Sequence, residues 1–528
     1  MKQFNTTAVC IPSKHYMVDL TQIVREISVM VDEGKYFTIN RARQYGKTTT
    51  ITALKNYLSD TYTVLSLDFQ QISDSGFSTE EKFVQEFCRL VLKRKAELNI
   101  PENICSKLEA WRDTQTPNTR LSTLFDHLYL WCGESDKKVV LIIDEVDSAT
   151  NNQVFLDFLS QLRYGYISRD TNGDPAFHSV ILAGVTDVKH LKGKLREDKD
   201  SRENSPWNIA ADFSVDMSLP SEGICKMLCE YKADHAIEFD TAYISKLIYD
   251  YTSGYPYLVS RICELIDDEV VKKFGNPQSA WSMRGVDEAV KLILSENNTL
   301  FQSLTKVLNN YPELRQSIRR ILMEGARFSF NAQQDSLLQL QMYGLIRNDH
   351  NTVRVSNRIF ETMLYNLFLS DEEIKNNAFS KDAGVNRNIF VQDDRLNMPL
   401  IMEHFIKTYT QIYGPLKDRF KEKDGRELFL LYIKPIINGT GNYYIEAQTR
   451  DDRRTDVIID YIGQQYIIEL KIWHGDRYNL DGEKQICEYL DYWNLDTGYM
   501  LSFNFNKKKK TGVERVQIGN KVLFEGMV

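Results

Sequence analysis

Apolar runs with little polar interruption mark the first part of the chain: YFTI before a glycine-containing loop, VLSLDF at 64–69, VVLII opening residues 139–148, and SVILAGVTDV at 179–188. Each reads as a strand, and the five apolar residues of VVLII fit one buried in a parallel sheet. The segment YFTINRARQYGKTTTITALKNYL runs from its strand through a loop into a helix beginning near Lys47. From about 271 to 370 the pattern is helical, with ELRQSIRRILMEG and then SLLQLQMYGLIRNDHNTVRVSNRIFETMLYNLF. Helix, helix, a two-stranded wing around Leu345 to Val355 and a further helix predict a winged-helix unit, serving as a packing or relay element rather than as a DNA reader. Residues 371–395 are polar and weakly periodic, which predicts a linker. Beyond it, DVIIDYIGQQYIIELK predicts two strands about a turn at Gly463, with helices in GRELFLLYIKPI before and GEKQICEYLDYW after.

This strand pair carries chemistry. Strand alternation puts Glu469 and Lys471 on one face, and the Gly463 turn folds Asp456 back toward them. Two carboxylates and an amine suit a hard divalent cation that keeps water ligands, with the lysine orienting water or stabilising a developing oxyanion on a phosphate. A hairpin whose edge charges face water is the alternative, but these charges interrupt strands that are otherwise apolar. The D…ExK arrangement resembles the PD-(D/E)xK nuclease superfamily. That resemblance implies metal and substrate roles for Glu427, Asp456, Glu469, Lys471 and Gln485, with Glu427, Asp456 and Glu469 toward the metal and Arg454 as a phosphate contact. His474 is read as a surface histidine.

The loop before Lys47 has the parts of a phosphate cradle: a helix N-terminus, Gly46, Lys47 for the β- and γ-phosphates and Thr48 for magnesium, with Thr49 and Arg43 beside them. The common GxxxxGK[ST] spacing would put glycine at position 41, where this chain has Arg41, an added positive charge together with Arg43. A chance GKT at a helix start would be preferred if the segment stood alone. VVLIIDEVDS removes that reading: Asp144 at a strand end suits the magnesium shell, and Glu145 suits polarisation of the attacking water. With a core strand between these motifs and Thr186 in a sensor-like place, the set resembles the AAA/STAND side of the P-loop NTPases.

The strings HYMVDL, RARQYGKTT, VILAGVTDVKHL, SPWNIAADF and SGYPYLVSRIC, spread from His15 to Cys263, are similar to those of a bacterial AAA-like family. The phosphate-loop and acidic motifs imply ATP and Mg²⁺ as cofactors; Gly254, Pro256 and Arg261 stand where related ATPases have a lid helix, and an ordinary capped helix explains the Gly-x-Pro spacing equally well. Arg163 and Arg169 are read as solvated loop residues before trans-acting fingers.

The fold class expected is therefore α/β: a P-loop NTPase parallel sheet, a helical winged-helix middle region and a C-terminal α/β nuclease-like domain. The boundaries expected are 1–270, 271–370, 371–395 for the linker and 396–528, since a chain of 528 residues should hold about three domains. A formal net charge of -8 argues against a protein dedicated to coating nucleic acid, so DNA contact must be local. Lys507 to Lys510 read as an exposed hairpin turn. Eight cysteines without a CxxC pair imply reduced, packed thiols, and Cys225 and Cys229 have no histidine pair to complete a zinc site. With no signal segment and no membrane-length apolar run, a cytoplasmic protein is expected. The function expected is an ATP-dependent or ATP-regulated nuclease acting on nucleic acid, DNA before RNA, with self-association open and no membrane partner. The alternative is a nucleotide switch or scaffold whose C-terminal domain binds without cutting; a motor is disfavoured because helicase motifs are absent.

Overall fold

The structure, a computed structural model, describes residues 2–113, 120–185, 188, 206–323, 328–331, 333–374, 378–413, 422–437, 441–448, 454–473, 476–492, 495–506 and 509–528. The chain forms two compact units. The first comprises Met1–Met227, Tyr255–Ser260 and Gln339–Gly344. Its centre is a parallel sheet of β1 (Tyr36–Asn40), β2 (Thr63–Asp68), β3 (Val139–Asp144) and β4 (Ser179–Gly184), in the order β1-β4-β3-β2. The apolar runs become these strands because both faces are covered. Leu141 and Ile143 point into a cluster with Phe83, Phe125 and Phe158, while Val140 and Ile142 point into one with Ile27, Phe37 and Leu54. Alternation along a strand thus feeds two cores at once. All four C-terminal strand ends (Asn40, Asp68, Asp144 and Gly184) lie along one edge, where ligands of such sheets collect.

The second unit comprises Leu228–Gly254, Arg261–Leu338 and Leu345–Val528. Helices including Thr241–Thr252, Met283–Ser295, Thr299–Asn310 and Pro312–Met323 precede an antiparallel ribbon of β5 (Ile346–Asp349) and β6 (Thr352–Val355). The helix Arg358–Ile374 follows. Residues 371–395, expected as a linker, hold the helix Ala378–Phe390 and a small ribbon of β7 (Val391–Gln392) and β8 (Arg395–Leu396). Sparse but well-placed contacts fix this segment. Ala383 and Phe390 are buried, and the Asp382 carboxylate accepts hydrogen bonds from Thr408 and Tyr432, both at 2.9 Å.

The C-terminal sheet contains β9 (Gly441–Gln448), β10 (Arg454–Tyr461), β11 (Gln464–Ile472), β12 (Thr497–Phe503), β13 (Gly512–Ile518) and β14 (Lys521–Met527), in the order β13-β14-β12-β11-β10-β9. β9, β10 and β11 run antiparallel, and β11, β12 and β14 run parallel. Ile462 and Gly463 both take positive φ, 50° and 74°, as a two-residue hairpin turn demands. The helices Glu422–Ile437 and Asp476–Tyr492 flank β9 to β11 in sequence. Among the described residues no helix is long and apolar enough to cross a membrane.

A buried carboxyl pair ties the helices of this unit to its sheet. Tyr251 Oη lies 2.7 Å from Asp287 Oδ1 and 2.9 Å from Asp460 Oδ2. One phenol carries one proton, so both contacts are hydrogen bonds only if one carboxyl is protonated and donates in return. Burial, reinforced by the charge of Asp460, pushes the Asp287 carboxyl up to about 8. A carboxyl raised above its unfolded value near 4 makes the folded state bind more protons, so its stabilising contribution is lost as pH climbs from about 4 to about 8. Asp287→Asn should remove that loss, because an amide has no proton to lose over this range. Urea melts at pH 5 and pH 8 check this: the variant should gain on the wild type at pH 8, and a pH-independent gap would show that the carboxyl is ionised throughout.

Candidate functional site

β1 delivers the chain into the loop Arg41–Gly46, and the helix Lys47–Leu58 starts where Gly46 turns it at φ 78°. That left-handed turn is what glycine supplies here. Arg41 turns inward. Its guanidinium donates to Val215 O at 2.7 Å and Asn40 O at 3.0 Å and lies 4.9 Å from the Phe213 ring centroid, and its own amide donates to Gly184 O at 3.2 Å. Burial lowers the guanidinium's pKa. Arg41 is therefore a strut behind the loop, whereas Arg43 is exposed at its tip and accepts the Tyr255 hydroxyl on its carbonyl. Arg43→Ala should weaken ATP binding in a strongly salt-dependent way, while Arg41→Ala should mainly lower the melting temperature, because only the exposed guanidinium can face an anion. Titrations at two salt concentrations beside thermal melts separate them.

Lys47 is buried, and its ammonium donates to the carbonyls of Arg41 and Ala42, both at 3.0 Å. Burial pulls its pKa down, against the pull of Glu145, Asp147 and Asp144. Asp144 accepts the Glu145 amide at 2.9 Å, and burial raises its carboxyl, with the Thr48 side chain and the Glu145 amide opposing. A hydroxyl in the first turn of a helix and a carboxylate at the neighbouring strand end are hard oxygen donors of the kind magnesium takes, so Thr48 and Asp144 fit that ion. Glu145 is half-buried at φ 55°, a conformation that non-glycine residues rarely adopt and that concentrates at functional sites. Burial raises its carboxyl first, with Lys47 opposing.

Thr49 accepts the Cys10 amide at 3.2 Å and lines a cavity of about 400 Å³ beside Gly46. Met17, Val18, Leu20, Met217, Leu219 and Tyr257 supply apolar wall, and Asn5 and Thr7 supply polar atoms. Thr186 lies outside the described residues. Three features escaped the sequence reading: the N-terminal segment that walls this cavity, Asp68 in register with Asp144, and Asp147, whose Oδ2 accepts the Val185 amide at 2.7 Å. The third acid of DEVD was the available signal for Asp147. Arg163 and Arg169, expected in a solvated loop, lie instead on the helix Gln153–Asn172, and the Arg169 guanidinium donates to Gly34 O, Phe177 O and His178 O. Arg261 is ion-paired with Glu264 at 2.6 Å and with Glu296.

In the C-terminal sheet, Glu469 and Lys471 are buried on β11, with Lys471 Nζ 3.5 Å from Glu469 Oε1 and donating to Gln485 Oε1 at 3.2 Å. Gln485 in turn donates to Tyr489 Oη at 2.8 Å. Gly482 leaves room for the amine: a Cβ there would meet Lys471 Nζ at 3.1 Å. Val457 pairs with Ile468, so continuing the register sets Asp456 of β10 across from Glu469. The side chains of Asp456 and Arg454, and His474 altogether, lie outside the described residues. Glu427 is half-buried on its helix and pairs with Arg319 at 3.5 Å. The structure thus brings Glu469, Lys471 and Gln485 together, while Glu427 has Arg319 as a partner. Among the described residues, no group of three or more His, Cys, Asp or Glu is arranged to hold a metal.

The family profile described as AAA-like domain matches residues 5–368. The chain belongs to the AAA-like domain family. It is accordingly an ATPase of AAA-like, P-loop type. The chain is similar to the uncharacterized WD repeat-containing protein slr0143 of Synechocystis, 23% identical over 259 residues that are 47% of this chain and 20% of the relative. It thus spans about a fifth of that curated relative's length. Among solved structures it is similar to the Walker-type ATPase PABY2304 of Pyrococcus abyssi, at 14% identity and TM-score 0.47, covering 68% of this chain and 99% of that one. Cdc6p of Pyrobaculum aerophilum matches at 14% identity and TM-score 0.33, over 69% of this chain and 97% of its own.

Proposed function

We propose that the AAA-like chain binds ATP with Mg²⁺ at the edge formed by Gly46, Lys47, Thr48 and Asp144, hydrolyses it with Glu145, and cleaves phosphodiester bonds of DNA at Asp456, Glu469 and Lys471. The observation that carries the ATPase part is the convergence of Lys47, Thr48, Asp144 and Glu145 at the C-terminal edge of one parallel sheet. The apolar cavity beside Gly46 is the natural seat of the base, and Arg43 at the loop tip meets phosphate. Lys47 would exchange its carbonyl partners for phosphate oxygens, and Glu145 would take a proton from water. Bound Mg²⁺ supplies charge neutralisation at the phosphates; Thr48 and Asp144 would hold it.

The nuclease part is supported by the buried Glu469–Lys471–Gln485 cluster and by the register that continues to Asp456. Glu469 and Asp456 would hold a divalent ion through hard oxygens, and the Lys471 amine would orient water while Gln485 fixes the amine. Nucleotide binding would regulate cleavage only by differing in affinity for resting and cutting states. A second reading, a switch whose C-terminal domain binds DNA without cutting it, is favoured by the Glu427–Arg319 ion pair, which engages one of the expected metal carboxylates. ATP turnover beside DNA cleavage by the purified chain decides between them: turnover with Mg²⁺-dependent cleavage supports the first reading, and turnover with binding alone supports the second.

A further inference from the structure

We propose that Asp147 is a positioning residue for ATP hydrolysis, fastening the turn that carries Glu145 to the end of β4; this rests on the ATPase reading above. Between β3 and β4 the paired backbone register ends at Ile143 and Leu182. Beyond that pair β4 continues against β1, with Asn40 beside Gly184, so a further link from the β3 end to the β4 end has to come from outside the ladder. Asp147 provides it, since its Oδ2 accepts the Val185 amide at 2.7 Å from a short 3-10 turn, Val146–Ser148, that begins directly after Glu145. The rest of the turn is pinned as well. Val146 is fully buried, and the Ser148 hydroxyl, 3.0 Å from Glu145 O and 3.3 Å from Phe69 O, shares its one proton between the two carbonyls.

The carboxylate is pressed against the strand end. A Cβ on Gly184 would meet both oxygens of Asp147 at 3.1 Å and Val146 Cγ2 at 3.0 Å, tighter than ordinary contact, so this glycine leaves the space that Asp147 fills. Glu145 is thereby held from two sides. Its own amide is bound by Asp144 Oδ1 at 2.9 Å, and the turn that follows it is bound to β4 by Asp147. Asp147 also lies within electrostatic reach of both Lys47 and Glu145. A positioning role predicts loss of turnover without loss of binding, because a shift of about 1 Å in a reacting group costs on the order of 100-fold in rate while leaving most ligand contacts intact.

Steady-state ATPase kinetics and calorimetric ATP binding on the full chain test this. Asp147→Ala should lower kcat by at least about tenfold, with KM and Kd unchanged within about twofold. Asp147→Asn keeps an oxygen acceptor for the Val185 amide and should recover most of the rate. Gly184→Ala pushes a methyl against the same carboxylate and should reproduce the kcat loss with Asp147 in place. Should Asp147→Ala fail to fold, the contrast between Gly184→Ala and Asp147→Asn decides. Wild-type kcat in Asp147→Ala, parallel loss of kcat and binding, or an Asn variant as slow as the Ala variant would each overturn the role of Asp147 alone. A wild-type chain that turns over no ATP overturns the ATPase reading, and this inference with it.

Discussion

Lys47→Ala should weaken ATP binding by roughly 100-fold or more, since hydrogen bonds to charged groups contribute about 1.5–3 kcal/mol each and the lysine is placed to make more than one to phosphate. The buried ammonium lies on the carbonyls of Arg41 and Ala42, so it is already held beside the helix N-terminus that an anion would approach. Glu145→Gln should separate binding from chemistry. An amide of the same shape keeps the turn but cannot take a proton, so affinity should hold while turnover falls by about 100- to 10,000-fold. Calorimetric titration with ATP measures the first effect and phosphate release the second. Equal affinity in wild type and Lys47→Ala would remove the phosphate-loop assignment, and unchanged turnover in Glu145→Gln would remove the role of Glu145 while leaving a nucleotide-binding switch.

In the C-terminal domain, Asp456→Asn, Glu469→Gln and Lys471→Ala should each abolish DNA cleavage, a loss of about 1,000-fold or more where one group serves a unit of catalytic residues. ATP hydrolysis should survive all three. Their effects should be non-additive, because losing either carboxylate already displaces the metal, and a double variant has little left to lose. Lys471→Ala should spare metal affinity better than the carboxylate changes, since a protonated amine orients water and phosphate but cannot ligate an ion. The Lys471 contacts to Glu469 and Gln485 make Gln485→Ala a milder version of the same loss. Mn²⁺ titration of the full-length protein beside cleavage assays distinguishes these cases. Retained cleavage in Glu469→Gln would exclude this cluster as the cutting site.

Short-range patterns made much of this legible. Continuous apolar runs become β2, β3 and β4 because both faces of a parallel strand are covered, and the Gly463 turn pairs β10 with β11 because its two residues take positive φ. The phosphate-loop residues could be named in advance because their spacing is local. What stayed hidden depends on distant partners. In the sequence Arg41 reads as added charge, yet its direction is set by Val215 and Phe213, far along the chain. Glu427 was assigned to metal from its place before the strands, and only the folded structure shows Arg319 against it. The helix Ala378–Phe390 lacks a strong apolar stripe, so the burial of Ala383 and Phe390 and the hydrogen bonds to Asp382 are invisible as a pattern. The Tyr251–Asp287–Asp460 contact joins three elements with no sequence signal linking them.

On the proposed reading, one chain couples an ATPase site to a phosphodiester-cleaving site. The most direct test incubates purified full-length protein with linear, circular and single-stranded DNA and with RNA, with and without Mg²⁺ and ATP, beside Asp456→Ala and Lys47→Ala controls. The account predicts Mg²⁺-dependent cleavage of DNA that is lost in Asp456→Ala and altered by ATP in the wild type but not in Lys47→Ala. Steady ATP turnover with every substrate intact under all conditions would contradict it.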